Sequence, residues 1–381
     1  MEERAVGIRE ERQTELMLYL HIPFCVRKCA YCDFLSAPAG EEVRACYVEA
    51  LKEEIRRKQG IGEGRMVTSV FFGGGTPSLL AGVQLEGILE EVRGCFCLKE
   101  DGEITVECNP GTLTRDKLLA YQRAGVNRLS LGLQSADNEE LALLGRIHTY
   151  EEFLEGYSLA REMGFHNLNV DLMSALPGQT RESWKSTLQK VLSLGPEHIS
   201  AYSLMVEEGT PFYERYGPGG QLEKLLPDED AERQMYYDTR DILKAVGYER
   251  YEISNYARPG FACRHNLGYW ERRDYLGLGL GAASLVDGVR FRNSRSLSEY
   301  LAGDTKAQEA ERLTRREELE ETMFLGLRKT EGVKLTGELL EAYEDVFARL
   351  RQQGLLLWEE GCVRLTDLGF DVSNYALAEF L

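Results

Sequence analysis

The chain has 381 residues, of which 43% are hydrophobic and 28% charged, so it can bury a large core over one to three domains. Its 63 acidic and 45 basic side chains give a formal net charge of −18. A nucleic-acid partner is excluded on these electrostatic grounds, because binding a phosphate backbone needs a basic surface.

The sequence also carries no membrane or export signal. No apolar run reaches the roughly 20 residues that a transmembrane helix needs. The first residues, MEERAVGIREERQ, are charged and lack the apolar core of a secretory signal. Six of the nine cysteines are scattered without a disulfide pattern. We therefore expect a cytoplasmic protein with no transmembrane segment.

The first predicted strand, an apolar run over residues 16–22, leads into a loop with three cysteines. Pro23 ends the run because it has no N–H to give to a sheet. Cys25, Cys29 and Cys32 then follow with the spacing C-x3-C-x2-C. Three thiolates on one tight loop can hold a four-iron cluster and leave one iron open to a small chelating ligand.

Two alternatives to a cluster remain at this point. A closed structural zinc site needs four ligands, and His21 or Cys46 is the candidate for the fourth. A chance grouping of cysteines is the other alternative.

Strands and helices alternate from the cysteine loop onward. The predicted strands are residues 66–72, 103–108, 128–133, 167–172 and 198–204, and the predicted helices are 41–58, 84–92, 115–124, one that opens at 149, and 181–194. This order predicts parallel strands with crossover helices, in an open doubly wound sheet or a barrel-like curl. In either architecture, ligands gather at the carboxyl ends of the strands.

Distinctive residues occur at those predicted strand ends. The GGGTP segment at 73–77 lets backbone approach a ligand closely, although a plain tight turn is the alternative. Glu107 could accept hydrogen bonds from ribose hydroxyls or an ammonium group, or could cap a helix. Gln134 and Asp171 end later strands. Arg146 could neutralise a carboxylate or form a surface ion pair.

The second half of the chain is less regular. A Gly- and Pro-rich loop at 211–227 and a long helix at 228–246 precede a polar, aromatic segment at 251–270. From residue 314 the pattern predicts a small helical domain with a hairpin: helices at 314–327, 335–352 and 367–381, and a hairpin over 354–365. The first of these helices opens with the capping box Thr314-x-x-Glu317.

The cysteine loop resembles that of radical S-adenosylmethionine (SAM) enzymes, in which three cysteines bind a 4Fe–4S cluster and SAM chelates the fourth iron. Together with the motifs HIPFC, GGGTPS, ECNP and LPGQT, the chain resembles the oxygen-independent coproporphyrinogen III oxidases over nearly its whole length. This resemblance implies an α/β fold, an incomplete (β/α)6 barrel. It implies cluster ligation by the three cysteines and a SAM site formed by Tyr19, Gly74, Gly75, Thr76, Glu107, Gln134, Arg146 and Asp171.

On this basis we divide the chain into three units. Residues 1–210 form the partial barrel with the cluster and SAM site, and residues 211–313 flank it. Residues 314–381 form a C-terminal winged-helix-like α+β domain, interpreted as a packing or capping unit because basic residues are few.

Within that family, the chain resembles a haem chaperone branch more than the oxidases. The oxidases carry a further cysteine two residues after the third ligand, where this chain has Phe34, and a longer segment before the first strand. Residues 265–270 resemble the HN-x-x-YW motif of the chaperone branch, which implies haem binding by His265, Asn266, Tyr269 and Trp270.

The chemistry of these residue types is compatible with haem. A histidine can ligate haem iron, and aromatic rings offer flat apolar faces to a porphyrin. A hydrogen-bonded histidine beside core aromatics is the alternative. The branch also has a histidine in a G-A-H-S segment, and here Ala283 stands in its place.

The resulting hypothesis is a haem chaperone that binds haem, a 4Fe–4S cluster and SAM, and passes haem to acceptor proteins, respiratory ones among them. The alternative is an oxidase that uses SAM chemistry to decarboxylate a porphyrinogen oxidatively. The sequence leaves open whether SAM is cleaved, and therefore whether the protein is an enzyme.

Overall fold

Six parallel strands in chain order form the centre of the molecule, which was analysed as a computed structural model describing residues 15–304 and 307–381. The strands are β1 (Glu15–Ile22), β2 (Met66–Gly74), β3 (Cys97–Cys108), β4 (Arg128–Gln134), β5 (Leu168–Ser174) and β6 (His198–Ser203). The helices that follow them are α1 (Glu41–Arg57), α2 (Gly82–Cys95), α3 (Arg115–Arg123), α4 (Asn138–Leu143), α5 (Tyr150–Glu162) and α6 (Arg181–Leu192).

The six strands do not close on themselves. On one side β1 pairs in parallel with β9 (Tyr275–Leu278), and on the other side β6 pairs antiparallel with β8 (Asn255–Ala257). The predicted fold class, an incomplete six-unit (β/α) barrel, is confirmed.

Side-chain alternation divides the inside of this sheet from the outside. In β1, Leu16, Leu18 and Leu20 are fully buried in the main hydrophobic core with the surrounding helices. The intervening Tyr19 and His21 point to the opposite face, as the two-residue period of a strand requires. The same alternation in β3 to β6 lines that inner face with polar groups.

Short strands extend the sheet to twelve strands in all within the described residues. They are β7 (Glu249–Arg250) and β8 at one edge, and β9, β10 (Ala283–Val286), β11 (Val289–Arg292) and β12 (Gln308–Arg312) at the other. The connecting helices are α7 (Pro211–Tyr216), α8 (Glu229–Ala245), α9 (Arg264–Trp270) and α10 (Leu297–Leu301). The sequence did not predict these edge strands, because runs of two to five residues show no readable periodicity.

The C-terminal part has a hydrophobic cluster of its own, which includes Phe347 and Leu350. Its elements are α11 (Arg315–Gly326), β13 (Val333–Lys334), α12 (Gly337–Gln352), β14 (Leu356–Glu359), β15 (Cys362–Leu365), α13 (Asp367–Asp371) and α14 (Ser373–Ala378). The three strands pair antiparallel in the order β13-β15-β14, so the predicted small α+β domain is confirmed.

Two details of that domain bear on the predictions. The capping box at Thr314 and Glu317 is present. The single helix expected over 367–381 is wrong: the chain makes two short helices that meet at Val372, whose ψ of 34° is not helical. The division of the chain at residues 210 and 313 stays a prediction.

In the part of the chain that the structure describes, no helix combines the length and apolar character required to cross a bilayer.

Candidate functional site

The cysteine loop begins where β1 ends and is folded back on itself. The Cys25 N–H donates to the Ala37 carbonyl at 3.2 Å, and the Ala37 N–H donates to the Pro23 carbonyl at 3.0 Å. The Cys32 N–H bonds the Cys29 carbonyl at 3.2 Å. All three thiols are free and half-buried. The loop therefore presents its three thiols from one compact turn beside the carboxyl ends of the strands.

Two side chains from other elements reach these thiols. The Thr76 hydroxyl lies 3.5 Å from Cys25 Sγ, and Arg146 Nη1 lies 3.8 Å from Cys29 Sγ. Among residues 15–304 and 307–381, no three His, Cys, Asp or Glu side chains are arranged to hold a metal ion. A four-iron cluster differs from a single ion in this respect, since each thiolate binds a separate iron.

The glycine segment after β2 lies flat against the chain that carries the cysteines. The Gly75 N–H donates to Ile22 O at 2.9 Å, and the Thr76 N–H donates to Phe24 O at 2.7 Å. A Cβ on Gly75 would lie 2.6 Å from the Phe24 carbonyl oxygen, and one on Gly74, whose φ is +110°, would lie 2.4 Å from the His21 ring. Only glycine fits this approach.

Two carboxyl groups face the interior beside that segment. Glu107 Oε2 accepts from the Gly74 N–H at 3.2 Å. Burial and then the charge of Asp171 raise the pKa of Glu107 to about 8. Burial also raises the pKa of Asp171, whose oxygens accept from Ser130 at 3.1 Å and Asn169 at 2.7 Å. A cationic ligand group at this place would hold Glu107 in its charged form.

Gln134 occupies an unusual backbone conformation at the end of β4. Its φ is +76°, and the pairing of β4 with β5 shifts register between Gly132 and Gln134. Such irregularities re-aim a side chain and concentrate at functional sites. The Gln134 amide oxygen accepts from the Tyr202 hydroxyl at 2.9 Å, which fixes the amide at the strand ends.

Arg146 connects the cysteine loop to β4. Its Nη2 donates to Gly132 O at 2.6 Å, next to the contact of Nη1 with Cys29. Its Nε is buried and makes no hydrogen bond. An unsatisfied buried donor is costly and indicates a place for an acceptor such as a ligand carboxylate.

Tyr19 completes the group from β1. Its hydroxyl lies 3.1 Å from His21 Nδ1, and His21 Nε2 lies 2.9 Å from the carbonyl of Leu35 in the cysteine loop. The structure thus brings the eight residues predicted for SAM to the inner face and strand ends of the barrel, where Thr76 and Arg146 contact the thiols. Their close-packed glycine backbone, paired carboxyls and partly unsatisfied guanidinium fit a ligand with amino and carboxylate groups beside a cluster. Their assignment to SAM, and the cysteines' assignment to the cluster, stay predictions.

The residues of the HN-x-x-YW motif lie deeper, on helix α9. His265 is 1% exposed, with Nδ1 2.8 Å from the Ser69 hydroxyl and Nε2 3.0 Å from the Tyr269 hydroxyl. Its ring stacks on Phe71 at 5.1 Å. Burial, and then the charge of Arg128, lower the pKa of His265 to about 3, so it is neutral. This is the geometry of the alternative reading, a hydrogen-bonded core histidine.

Trp270, at the end of the same helix, contacts the C-terminal part. The guanidinium of Arg328 lies 4.5 Å from the Trp270 ring centre, and the Trp270 indole N–H is buried without a partner. Asn266 is half-buried on the same helix. Ala283, in place of the branch's histidine, is exposed at the start of β10. Haem binding at this segment stays a prediction.

The inner face carries a further hydrogen-bond network that was not predicted from the sequence. Tyr202, Ser130 and Asn169 hold Gln134 and Asp171, and His198 bonds Asn169 at 2.6 Å. The sequence of β6, HISAYS, indicates these residues because polar and apolar residues alternate along it. That alternation places His198 and Tyr202 on one face.

Two family models match the chain. The radical SAM superfamily model matches residues 19–191, and the HemN C-terminal domain model matches residues 313–372. The solved structure of coproporphyrinogen III oxidase (HemN) from Escherichia coli covers 100% of this chain and 93% of its own, with a TM-score of 0.83 and 24% identity. This likeness shows a shared fold.

The curated relatives extend over most of the chain. The heme chaperone HemW of Lactococcus lactis subsp. lactis is 37% identical over 372 residues, 95% of this chain and 96% of that protein. The heme chaperone HemW of E. coli is 43% identical over 285 residues, 74% of each. The mitochondrial radical S-adenosyl methionine domain-containing protein 1 of Mus musculus is 36% identical over 98% of this chain and 88% of its own.

Fold and cysteine loop together define a radical SAM protein, and that class implies a 4Fe–4S cluster and SAM. Within it, the chain belongs to the HemW-type haem chaperone family. The family predicted from the sequence is confirmed.

Proposed function

We propose that this protein binds haem and passes it to acceptor proteins in the cytoplasm, respiratory proteins among them, while carrying a 4Fe–4S cluster and SAM. The observation that carries the proposal is the identity to proteins named heme chaperone HemW along 95% of the chain. Phe34 supports it: the side chain is 67% exposed beside the cysteine loop, where the oxidases have a cysteine.

The residues of the barrel end have distinct tasks in this proposal. Cys25, Cys29 and Cys32 hold three irons, and the bound cluster supplies a single electron to SAM if SAM is cleaved. Glu107 accepts from the SAM ammonium beside the Gly74 backbone. Arg146, through its unpaired Nε, pairs with the SAM carboxylate.

The function is tested by a haem titration of anaerobically reconstituted protein. We expect a saturable Soret band at one haem per chain, and transfer of haem to an apo acceptor. Both ring nitrogens of His265 are hydrogen-bonded, so it can ligate iron only if Tyr269 releases Nε2 or Ser69 releases Nδ1. His265→Ala should therefore weaken the band if the motif binds haem. Absence of saturable binding in the wild type would overturn the proposal.

The cluster is tested separately with cysteine variants. Cys25→Ala, Cys29→Ala and Cys32→Ala should each abolish the four-iron content and the broad visible absorption, because each removes the only protein ligand of one iron. Cys46→Ala is the matched control, since Cys46 is an exposed free thiol on α1. Four irons per chain in any of the three loop variants would contradict the assignment.

The second candidate is oxygen-independent coproporphyrinogen oxidation, favoured by the contacts of Thr76 and Arg146, two of the residues predicted for SAM, with the thiols. An anaerobic assay with a reductant, SAM and coproporphyrinogen III on the same cluster-loaded sample separates the two functions. Formation of vinyl product together with methionine supports the oxidase; haem binding without either supports the chaperone.

A further inference from the structure

A cavity of about 180 Å³ lies between helix α9, the β9–β11 edge and helix α11 of the C-terminal part. Its walls include Tyr269, Arg272, Tyr275, Arg290, Glu321 and Phe324. The volume is below the roughly 300 Å³ at which pockets for whole small molecules begin. The cavity is large enough for one substituent of a larger ligand.

Arg272 is placed in this cavity at a cost in backbone energy. Helix α9 ends with Arg272 N–H bonded to Tyr269 O and Arg273 N–H bonded to Gly268 O, both near 3.0 Å. Arg272 takes the left-handed position of this cap, with φ +56°, where helices usually use glycine. Most positive-φ positions in the described chain are glycines. An arginine here indicates that its side chain is needed.

The arginine is not fully satisfied. Arg272 Nε donates to Glu321 Oε2 at 2.7 Å, but Nη2 is buried and makes no hydrogen bond. Glu318 Oε1 forms an ion pair with that nitrogen at 3.8 Å, a distance too long for a hydrogen bond. Arg290 donates to the other oxygen of Glu321. One carboxylate therefore sits between two guanidinium groups that can bind more acceptor atoms.

The position of the cavity indicates which ligand would reach it. Tyr269, a residue of the HN-x-x-YW motif, forms one wall, and its ring packs edge-on against Tyr275 at 4.8 Å. Glu321 is 6% exposed, whereas the Arg290 side chain is 44% exposed. A ligand carboxylate that enters from solvent therefore contacts Arg290 first and then the rings of Tyr269 and Tyr275.

Resting on the proposed haem function, we propose that this cavity is a carboxylate site in which Arg272 and Arg290 bind a haem propionate in exchange for Glu321. Glu321 then acts as an internal carboxylate that occupies the site until haem arrives. The exchange loosens the contact of helix α11 with helix α9, the helix that carries the motif.

The test compares haem with haem dimethyl ester, whose propionates are blocked, by Soret titration of the full-length, cluster-loaded protein. The wild type should bind haem at least about 10-fold more tightly than the ester, the loss expected for one charge-assisted hydrogen bond. Arg290→Gln should remove most of that difference. Glu321→Gln should tighten haem binding several-fold, because the competing carboxylate is gone.

Arg292→Gln is the matched control. Arg292 lies two residues away on the same strand and pairs with Glu309, but does not line the cavity. It should behave as wild type. If Arg290→Gln does not fold, the comparison of haem with its ester in the wild type and the haem affinity of Glu321→Gln still test the carboxylate site.

Equal wild-type affinity for haem and ester, or a Glu321→Gln variant that binds haem no more tightly, would overturn the carboxylate site while leaving the haem function standing. Equal losses in Arg290→Gln and Arg292→Gln would also overturn it. Propionate ion alone stabilising the protein as much as haem does would show a general carboxylate site and overturn the haem assignment. No saturable haem binding at all would instead overturn the proposed function.

Discussion

Glu107 and Asp171 place two carboxyl groups in one buried space at the end of the barrel. The folded protein raises the pKa of Glu107 from its ordinary value of 4.5 to about 8, by burial first and then by the charge of Asp171. Between those pH values the folded protein keeps a proton that the unfolded chain has released. The free energy of unfolding therefore falls as pH rises through this window, by about 1.4 kcal/mol per pH unit from this group.

We expect Glu107→Gln to remove this dependence. The free energy of unfolding of the variant, relative to wild type, should rise steadily from pH 5 to pH 8 and be constant below pH 4.5. Denaturant unfolding of the cofactor-free protein at several pH values measures it. Glu100→Gln, at an exposed glutamate of the same strand, should give a constant difference. A difference in the free energy of unfolding between Glu107→Gln and wild type that stays constant from pH 5 to pH 8 would contradict the raised pKa.

At the scale of an element, helix α9 owes its position to a carboxylate on a different element. Glu103 of β3 accepts from the backbone N–H of Arg264 at 3.0 Å and of His265 at 3.1 Å. These are N–H groups of the first turn, which have no partner inside the helix. Glu103 is 3% exposed and lies near the buried Arg128. The carboxylate thus anchors the motif helix inside the barrel.

Glu103→Gln should lower the free energy of unfolding by about 1–3 kcal/mol, because the amide has one acceptor oxygen where the carboxylate has two, so one backbone N–H of the helix loses its acceptor. The comparison is Glu151→Gln, an exposed acid in the first turn of α5. There the effect should stay below about 1 kcal/mol. Thermal and denaturant unfolding measure the free energy of unfolding of both variants. Equal losses in Glu103→Gln and Glu151→Gln would show that Glu103 acts only through the helix dipole.

At the scale of the whole molecule, the chain has separate hydrophobic cores in the barrel and in the C-terminal part. Phe347 is fully buried in the C-terminal core, where it packs against Trp358 and Phe380. The cysteine loop packs elsewhere, with Tyr31 against a cluster that includes Phe212 and Tyr216. Stability of the C-terminal core and cluster assembly should therefore be separable.

Phe347→Ala should lower the free energy of unfolding of the C-terminal part by about 3–5 kcal/mol through cavity formation. Iron content after reconstitution should remain at the wild-type level. Leu368→Ala, at a 53% exposed position of the same part, should change neither quantity. Loss of iron in folded Phe347→Ala would show that the two cores are coupled.

The regular part of the fold could be predicted because its signals are local. The apolar strands, the capping box at Thr314 and the GGGTP segment at a strand end each span a few residues. The edge strands β7 to β12 were not predicted, since each is too short for a period to show. Their pairing partners are also distant in sequence: Leu20 on β1 meets Leu278 on β9.

By itself the sequence determined the three-cysteine loop, the order of strands and helices, and the family, because spacing and motifs are properties of the chain. Only the tertiary structure decided what those residues meet. It placed Arg146 beside Cys29, fixed Gln134 through Tyr202, and buried His265 between Ser69 and Tyr269. The physical reason is that burial and hydrogen-bond partners come from contacts between residues far apart in sequence, and those contacts set the charge and accessibility of every group in the site.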